Sequence, residues 1–212
     1  MARPGPCKSA TDIAPNPPDT CSYSYDANQR LAVVSCYYTI GDEARADWTW
    51  TTQGDVSSID ARSCAASEHW TFDAQQVTVT GAQLGGPPHP ALYDRATFAF
   101  LPLIGDDVVA PIAELGLVSA GSETFTWSMQ PGQWVRTSSL GTTATFTFDA
   151  AGHLTSAASE LATQTFTYDG DQLVHRTWNG VVDDDLRYDA GGNIAEIHHA
   201  DNTRTVYDYS CW

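Results

Sequence analysis

Positive charge is nearly missing from this chain. Its 212 residues hold 10 Lys and Arg, Lys8 being the sole lysine, against 26 acids, for a formal charge of −16. Nucleic acid and anionic bilayers both require a basic footprint, so neither is an expected partner. Glu is scarce too: 20 of the acids are Asp and 6 are Glu. Asp competes with the helical backbone whereas Glu favours helix, so this imbalance belongs to turns. No apolar run reaches the roughly 18 to 20 residues that cross a bilayer as a helix, and no basic segment with an apolar core opens the chain. The five cysteines, Cys7, Cys21, Cys36, Cys64 and Cys211, lack CxxC spacing and His partners at zinc-finger intervals. Disulfides are therefore their expected use, not a metal-thiolate site.

What is present is one phrase repeated. FTFDAAGHL (residues 146–154) recurs as FTYDGDQL (166–173), LRYDAGGNI (186–194) and YSYDANQRL (23–31). Successive strand residues point to opposite faces, so Phe146 and Phe148 share one face while Thr145 and Thr147 share the other. Asp and Gly then supply a turn, by side-chain hydrogen bonding and by access to positive φ, and an aliphatic residue starts the way back. The unit is a β-hairpin with one apolar and one hydroxylated face.

Aligned on the aromatic pair, the units start at Tyr23, Trp48, Trp70, Phe98, Phe125, Phe146, Phe166 and Leu186, at intervals of 25, 22, 28, 27, 21, 20 and 20. Such spacing signals repeat architecture. The expected fold is all-β with almost no helix: an antiparallel meander of about eight hairpins, curled or folded into two layers so that the apolar faces meet. Residues 1–20, rich in Pro and small residues, are expected to be a flexible segment, and 21–212 a single domain. Within it, 81–121 breaks the pattern and reads as an irregular insertion suited to capping an open sheet edge. Two domains split there are the rival arrangement. Cys21 and Cys36 lie at nearly equal distances from the first hairpin's turn, which predicts a cross-strand disulfide. Cys7, Cys64 and Cys211 then compete for one further bond.

The phrases at 146–154, 166–173 and 187–194 resemble the tyrosine-aspartate (YD) repeats of the rearrangement-hotspot family, found in bacterial toxin shells, wall-associated proteins and animal teneurins. The resemblance is clear over 146–194 and fades upstream. It implies stacked antiparallel hairpins on an exported or surface protein, in a family associated with carbohydrate contact, adhesion and encapsulation, and it does not imply catalysis. At 212 residues the chain is far shorter than the shells that enclose cargo, so it reads as a short stand-alone member, with the initiator Met standing where an export signal was removed.

No catalytic motif assembles. GLVSAG (116–121) misses the spacing of a nucleophile elbow, and the six His residues form no HExxH. His198 and His199 point to opposite faces if extended, so at most one serves any site. Asp183, Asp184 and Asp185, read as a turn ahead of a strand at Leu186, and the pair Asp169 and Asp171 at a hairpin tip, are oxygen ligands of the type calcium takes. Trp134 and Trp178 lie outside the repeated aromatic pair and are the candidate ligand-binding rings.

The expected function is a secreted or cell-surface, non-catalytic binding or structural module that recognises glycan or another envelope component. A small hydrolase of polysaccharides or esters is the alternative from a different class. A filament subunit associating through unpaired sheet edges is the other.

Overall fold

The computed structural model describes residues 8–12, 19–37, 43–63, 67–81, 90–98, 115–179 and 182–210. Cys7, Cys64 and Cys211, whose pairing the sequence leaves open, lie outside them. Among these residues there is no helix.

The strands are β1 (Lys8–Asp12), β2 (Asp19–Tyr25), β3 (Leu31–Tyr37), β4 (Glu43–Trp50), β5 (Val56–Arg62) and β6 (Ser67–Phe72). They continue as β7 (Gln76–Gly81), β8 (Ala91–Asp94), β9 (Leu117–Ala120), β10 (Glu123–Gln130), β11 (Gln133–Ser138) and β12 (Thr143–Phe148). The last are β13 (Leu154–Ser159), β14 (Thr163–Asp169), β15 (Gln172–Trp178), β16 (Val182–Tyr188), β17 (Ile194–His198) and β18 (Arg204–Asp208). All eighteen join one sheet, the expected antiparallel meander of hairpins. Each strand pairs antiparallel with the one before and the one after it.

Two departures from expectation concern where the sheet begins and what interrupts it. Lys8–Asp12, expected to be flexible, forms a strand that pairs with β2 on one side and with β18 on the other. The ladder thus returns to its start, and β1 supplies the returning strand of a ninth hairpin whose outgoing strand is β18. Without it β2 and β18 would both be left with unpaired edges. The expected insertion at 81–121 contains a regular hairpin, β8 with β9. Its outgoing aromatic is Tyr93, not Phe98, which instead packs beside Trp70, Phe72 and Tyr93. Residues 82–89 and 99–114 of that stretch lie outside the description.

The repeated phrase has a repeated geometry. The turn Asp fastens its own loop: Asp149 Oδ1 accepts from the amides of Ala151 and His153, both at 2.9 Å, and Asp26 and Asp189 do the same in their turns. Thr51, standing where Asp is usual, takes the amide of Asp55 with its hydroxyl instead. Pairing then slips by one residue at the second aromatic. Thr147 faces Ser156 but Phe148 faces Leu154, and the same step falls at Tyr25, Trp50, Tyr93, Tyr168 and Tyr188. This β-bulge leaves one extra residue on the returning strand. Inward residues there stand three apart at the step, so that Leu154 and Ala157 are both buried, as are Leu117 and Ala120.

A further bond ties each hairpin to its predecessor. Tyr188 Oη donates to the Leu173 carbonyl at 2.7 Å and Tyr209 Oη to that of Ile194 at 2.9 Å. Trp50 and Trp127 donate their ring N–H to Leu31 and Leu117 in the same way. In each case the acceptor lies at the start of the preceding returning strand, as its first residue or, for Leu173, its second. Burial raises the Tyr25, Tyr168, Tyr188 and Tyr209 hydroxyl pKa values, that of Tyr209 to about 12.

Inward side chains form two clusters, one from β4–β9 and one from β2–β4 with β12–β18. Phe146, Ile59, Val34 and Ile197 are at most 1% exposed. Eighteen strands in a ring enclose a wide interior, and the side chains that line it are largely closed off from solvent. Cys21 and Cys36 are bonded inside it, facing each other across β2 and β3 with Cα atoms 4.0 Å apart. The outward face carries the hydroxyl rows, with Thr126 opposite Thr137 and Thr137 opposite Thr143.

Candidate functional site

The ring has two rims. One carries the turns inside hairpins, such as 149–153 and 189–193, and is called the tip rim here. The other, the link rim, carries the connections between hairpins, such as 139–142, 160–162 and 199–203. The polar residues of chemical interest gather at the link rim, where β15, β16, β17 and β18 meet.

Pairing decides which of them face inward. Buried Phe166 stands opposite Arg176, so Arg176 points into the ring, and Trp178, two residues on and opposite Gln164, shares that face. Asp184 stands opposite Arg176 on the next strand and is 2% exposed. Arg176 Nε donates to Asp184 Oδ2 at 2.6 Å, and His199 Nδ1 lies 2.8 Å from Asp184 Oδ1. His199 Nε2 in turn lies 2.9 Å from Thr205 Oγ1. With the carboxylate ionised, the His199 proton sits on Nδ1, and in the neutral ring Nε2 accepts from the threonine hydroxyl. Burial pushes the Asp184 pKa up, but hydrogen bonds and charge from His199 and Arg176 outweigh it and hold the carboxyl below its ordinary value.

Carboxylate, imidazole and hydroxyl in this order are the parts of an acyl-transfer triad. Here the hydroxyl would have to be the nucleophile, and Thr205 is 0% exposed at the bottom of the packed face. No substrate carbonyl can approach it. What the arrangement does is anchor the 199–203 turn, and with it β18, to β15 and β16.

The three adjacent aspartates are not the turn the sequence suggested; they lie within β16. Asp is disfavoured in strands because it competes for backbone hydrogen bonds, but each of these has a cationic or histidine partner that offsets the cost. Asp183 and Asp185 point outward and hold His175 between them, at 3.2 and 2.9 Å. Since Asp184 points the other way, the three cannot ligate one ion, and the stretch does not fit a calcium site, which needs six or more converging oxygens. Asp169 ends β14 and Asp171 follows in the tip turn, 98% exposed and 3.2 Å from His153 Nε2. Among the described residues no three His, Cys, Asp or Glu side chains gather to hold a metal. His198 and His199 do part to opposite faces, His198 beside Glu196 at 2.9 Å on the outside.

The two candidate rings separate. Trp134 is half-buried inside the ring, 4.7 Å from Phe148 and 6.5 Å from Trp127 between centroids. Trp178 is 50% exposed at the link rim, where Leu140 and Leu161, on neighbouring connections, are 79% and 92% exposed. Sequence reasoning missed Arg176 and Thr205, and it named His199 only as one of a pair of which at most one serves a site. The signal was available in the spacing of three from Leu173 to Arg176, which the bulge turns to the same face.

No family model matches this chain, and no curated protein matches it. Among solved structures it is similar to a porin-like protein from Bacteroides uniformis ATCC 8492, at 11% identity over 98% of this chain and 96% of that one, with a TM-score of 0.39. Likeness at that level carries no argument.

Proposed function

We propose that this chain is a secreted or cell-surface binding and structural module without catalytic activity, related to the YD-repeat proteins, which engages glycan or another envelope component through its link rim. The observation that carries the reading is the exposure of Leu140 and Leu161 on neighbouring connections and of Trp178 at the end of β15, all along one rim. Exposed apolar side chains brought together on a rigid frame favour contact with a partner.

Other features support it. The repeat's own aromatics and aspartates are engaged in holding hairpins to themselves and to each other, so they are scaffold. The inaccessible hydroxyl of Thr205 weighs against the hydrolase reading, and two neighbours for each described strand weigh against polymerisation through free edges. Outward Thr, Asp and Glu with inward aromatics is the reverse of the polarity that a membrane-spanning barrel requires. The Cys21–Cys36 bond suits an oxidising compartment.

The test is sedimentation of purified protein with isolated cell envelopes, alongside particle size measured against concentration. Saturable co-sedimentation of a monodisperse protein is the expected result. Growth into filaments without envelope binding would put the structural-subunit reading in its place.

A further inference from the structure

Three side chains near the link rim, on the adjacent strands β14 and β15, share the inward face and make no hydrogen bond to one another. Trp178 stands directly opposite Gln164 on β14, a pairing that puts Cβ atoms about 5 Å apart on one face. Arg176, two residues along β15 on that face, is about 7 Å from Trp178 along the strand. Its guanidinium is fixed by the single bond from Nε to Asp184, and its two terminal nitrogens make no hydrogen bond to any described residue. The side-chain amide of Gln164 makes none either. Trp178 is 50% exposed, so its ring is reachable from the link rim, whereas the aromatics further in are packed.

A flat ring with a fixed guanidinium and an amide beside it presents one stacking surface, four N–H donors on the guanidinium, and an amide that both donates and accepts. We infer that Trp178, Gln164 and Arg176 form a subsite for one neutral sugar ring, which stacks on the indole while its hydroxyls bond the amide and the guanidinium. This deepens the reading above and rests on it. The sugar is neutral because Asp184 already balances the charge of Arg176, so the subsite offers donors without net positive charge. The formal charge of −16 also repels uronic acid polymers. Asp184 and His199 touch no ligand; they hold the guanidinium at its angle.

The probe is an array of neutral cello-, xylo-, manno- and chito-oligosaccharides beside polygalacturonate, read with the full chain and with Trp178→Ala, Trp178→Phe and Gln164→Ala. Expected is binding to at least one neutral class, weakened about tenfold by Trp178→Ala and about threefold by Gln164→Ala, and largely kept by Trp178→Phe. Unchanged melting temperatures show that the variants fold, and Gln164→Ala carries the test if Trp178→Ala does not. Neutral glycan bound equally by both alanine variants overturns the subsite and leaves the module reading standing. Binding confined to polygalacturonate overturns the choice of a neutral sugar. If the unaltered protein binds envelopes but no glycan, the sugar class fails; if it binds neither, the module reading fails with it.

Discussion

At the tip rim the turns at 26–30, 51–55, 73–76, 149–153 and 189–193 are each fastened by a side chain of their own, while at the link rim neighbouring hairpins are held by contacts the repeat does not encode. Asp149, Asp26 and Asp189 each close their loop with their own carboxylate, and Tyr188 and Tyr209 reach back one hairpin to a backbone carbonyl. The link rim has Ser138 and Ser159 in place of Asp in two connections, and elsewhere the chain of Arg176, Asp184, His199 and Thr205 across four strands. Local fastenings can be repeated with little loss if one fails. A network that occurs once concentrates its effect in one place and leaves nearby positions free to carry a ligand.

The sharpest way to break this contrast is Asp184→Asn, which leaves the Arg176 guanidinium without its counter-charge in a site that is almost closed. A loss of about 3 kcal/mol of unfolding free energy is expected, read by urea denaturation. The same carboxyl gives the contrast a pH signature. Its folded pKa lies below the unfolded value, so its contribution is full above about pH 4 and is lost as pH falls through the folded pKa. Asp26 and Asp149 at the tip rim are also lowered, Asp26 by the Arg30 side chain first and Asp149 by the His153 amide first, and act in the same direction. Stability should fall in acid for the unaltered protein and less steeply for Asp184→Asn.

Of comparable size is removal of the disulfide by Cys21→Ser with Cys36→Ser, expected to cost about 2–4 kcal/mol because the bond closes the first hairpin near its link-rim end. Melting under non-reducing conditions reads it. Smallest is Tyr188→Phe at the tip rim, about 1 kcal/mol for one hydrogen bond. An effect there as large as that of Asp184→Asn would erase the distinction between the rims.

The tip rim was legible in the sequence because it is local. YSYDANQRL places Cys21 and Cys36 across from each other by counting from the turn, and the Asp excess is accounted for by turn closure. The link rim was not legible, for the opposite reason. Nothing in KSATD (8–12) marks it as the strand that joins β18 to β2, since it has no aromatic and its partners are remote in sequence. Asp183 to Asp185 read as a turn because Asp is rare in strands, and only the partners His175, Arg176 and His199 make them tolerable in one. The one-residue slip at the second aromatic hid Arg176, because strict alternation from Leu173 would turn it outward. Trp178 was found by standing outside the repeated phrase, and Trp134, chosen on the same ground, is inside the ring because it faces Phe146.

The central claim, that the tip rim is scaffold and the link rim carries the ligand, is tested most directly by one pair of binding isotherms. Trp178→Ala and Tyr188→Phe are titrated with the neutral oligosaccharide that the unaltered protein binds, at a temperature where both are folded. The expected result is about a tenfold loss of affinity for Trp178→Ala and affinity within about twofold of the unaltered protein for Tyr188→Phe. Equal losses in both, or a loss in Tyr188→Phe alone, would contradict the claim.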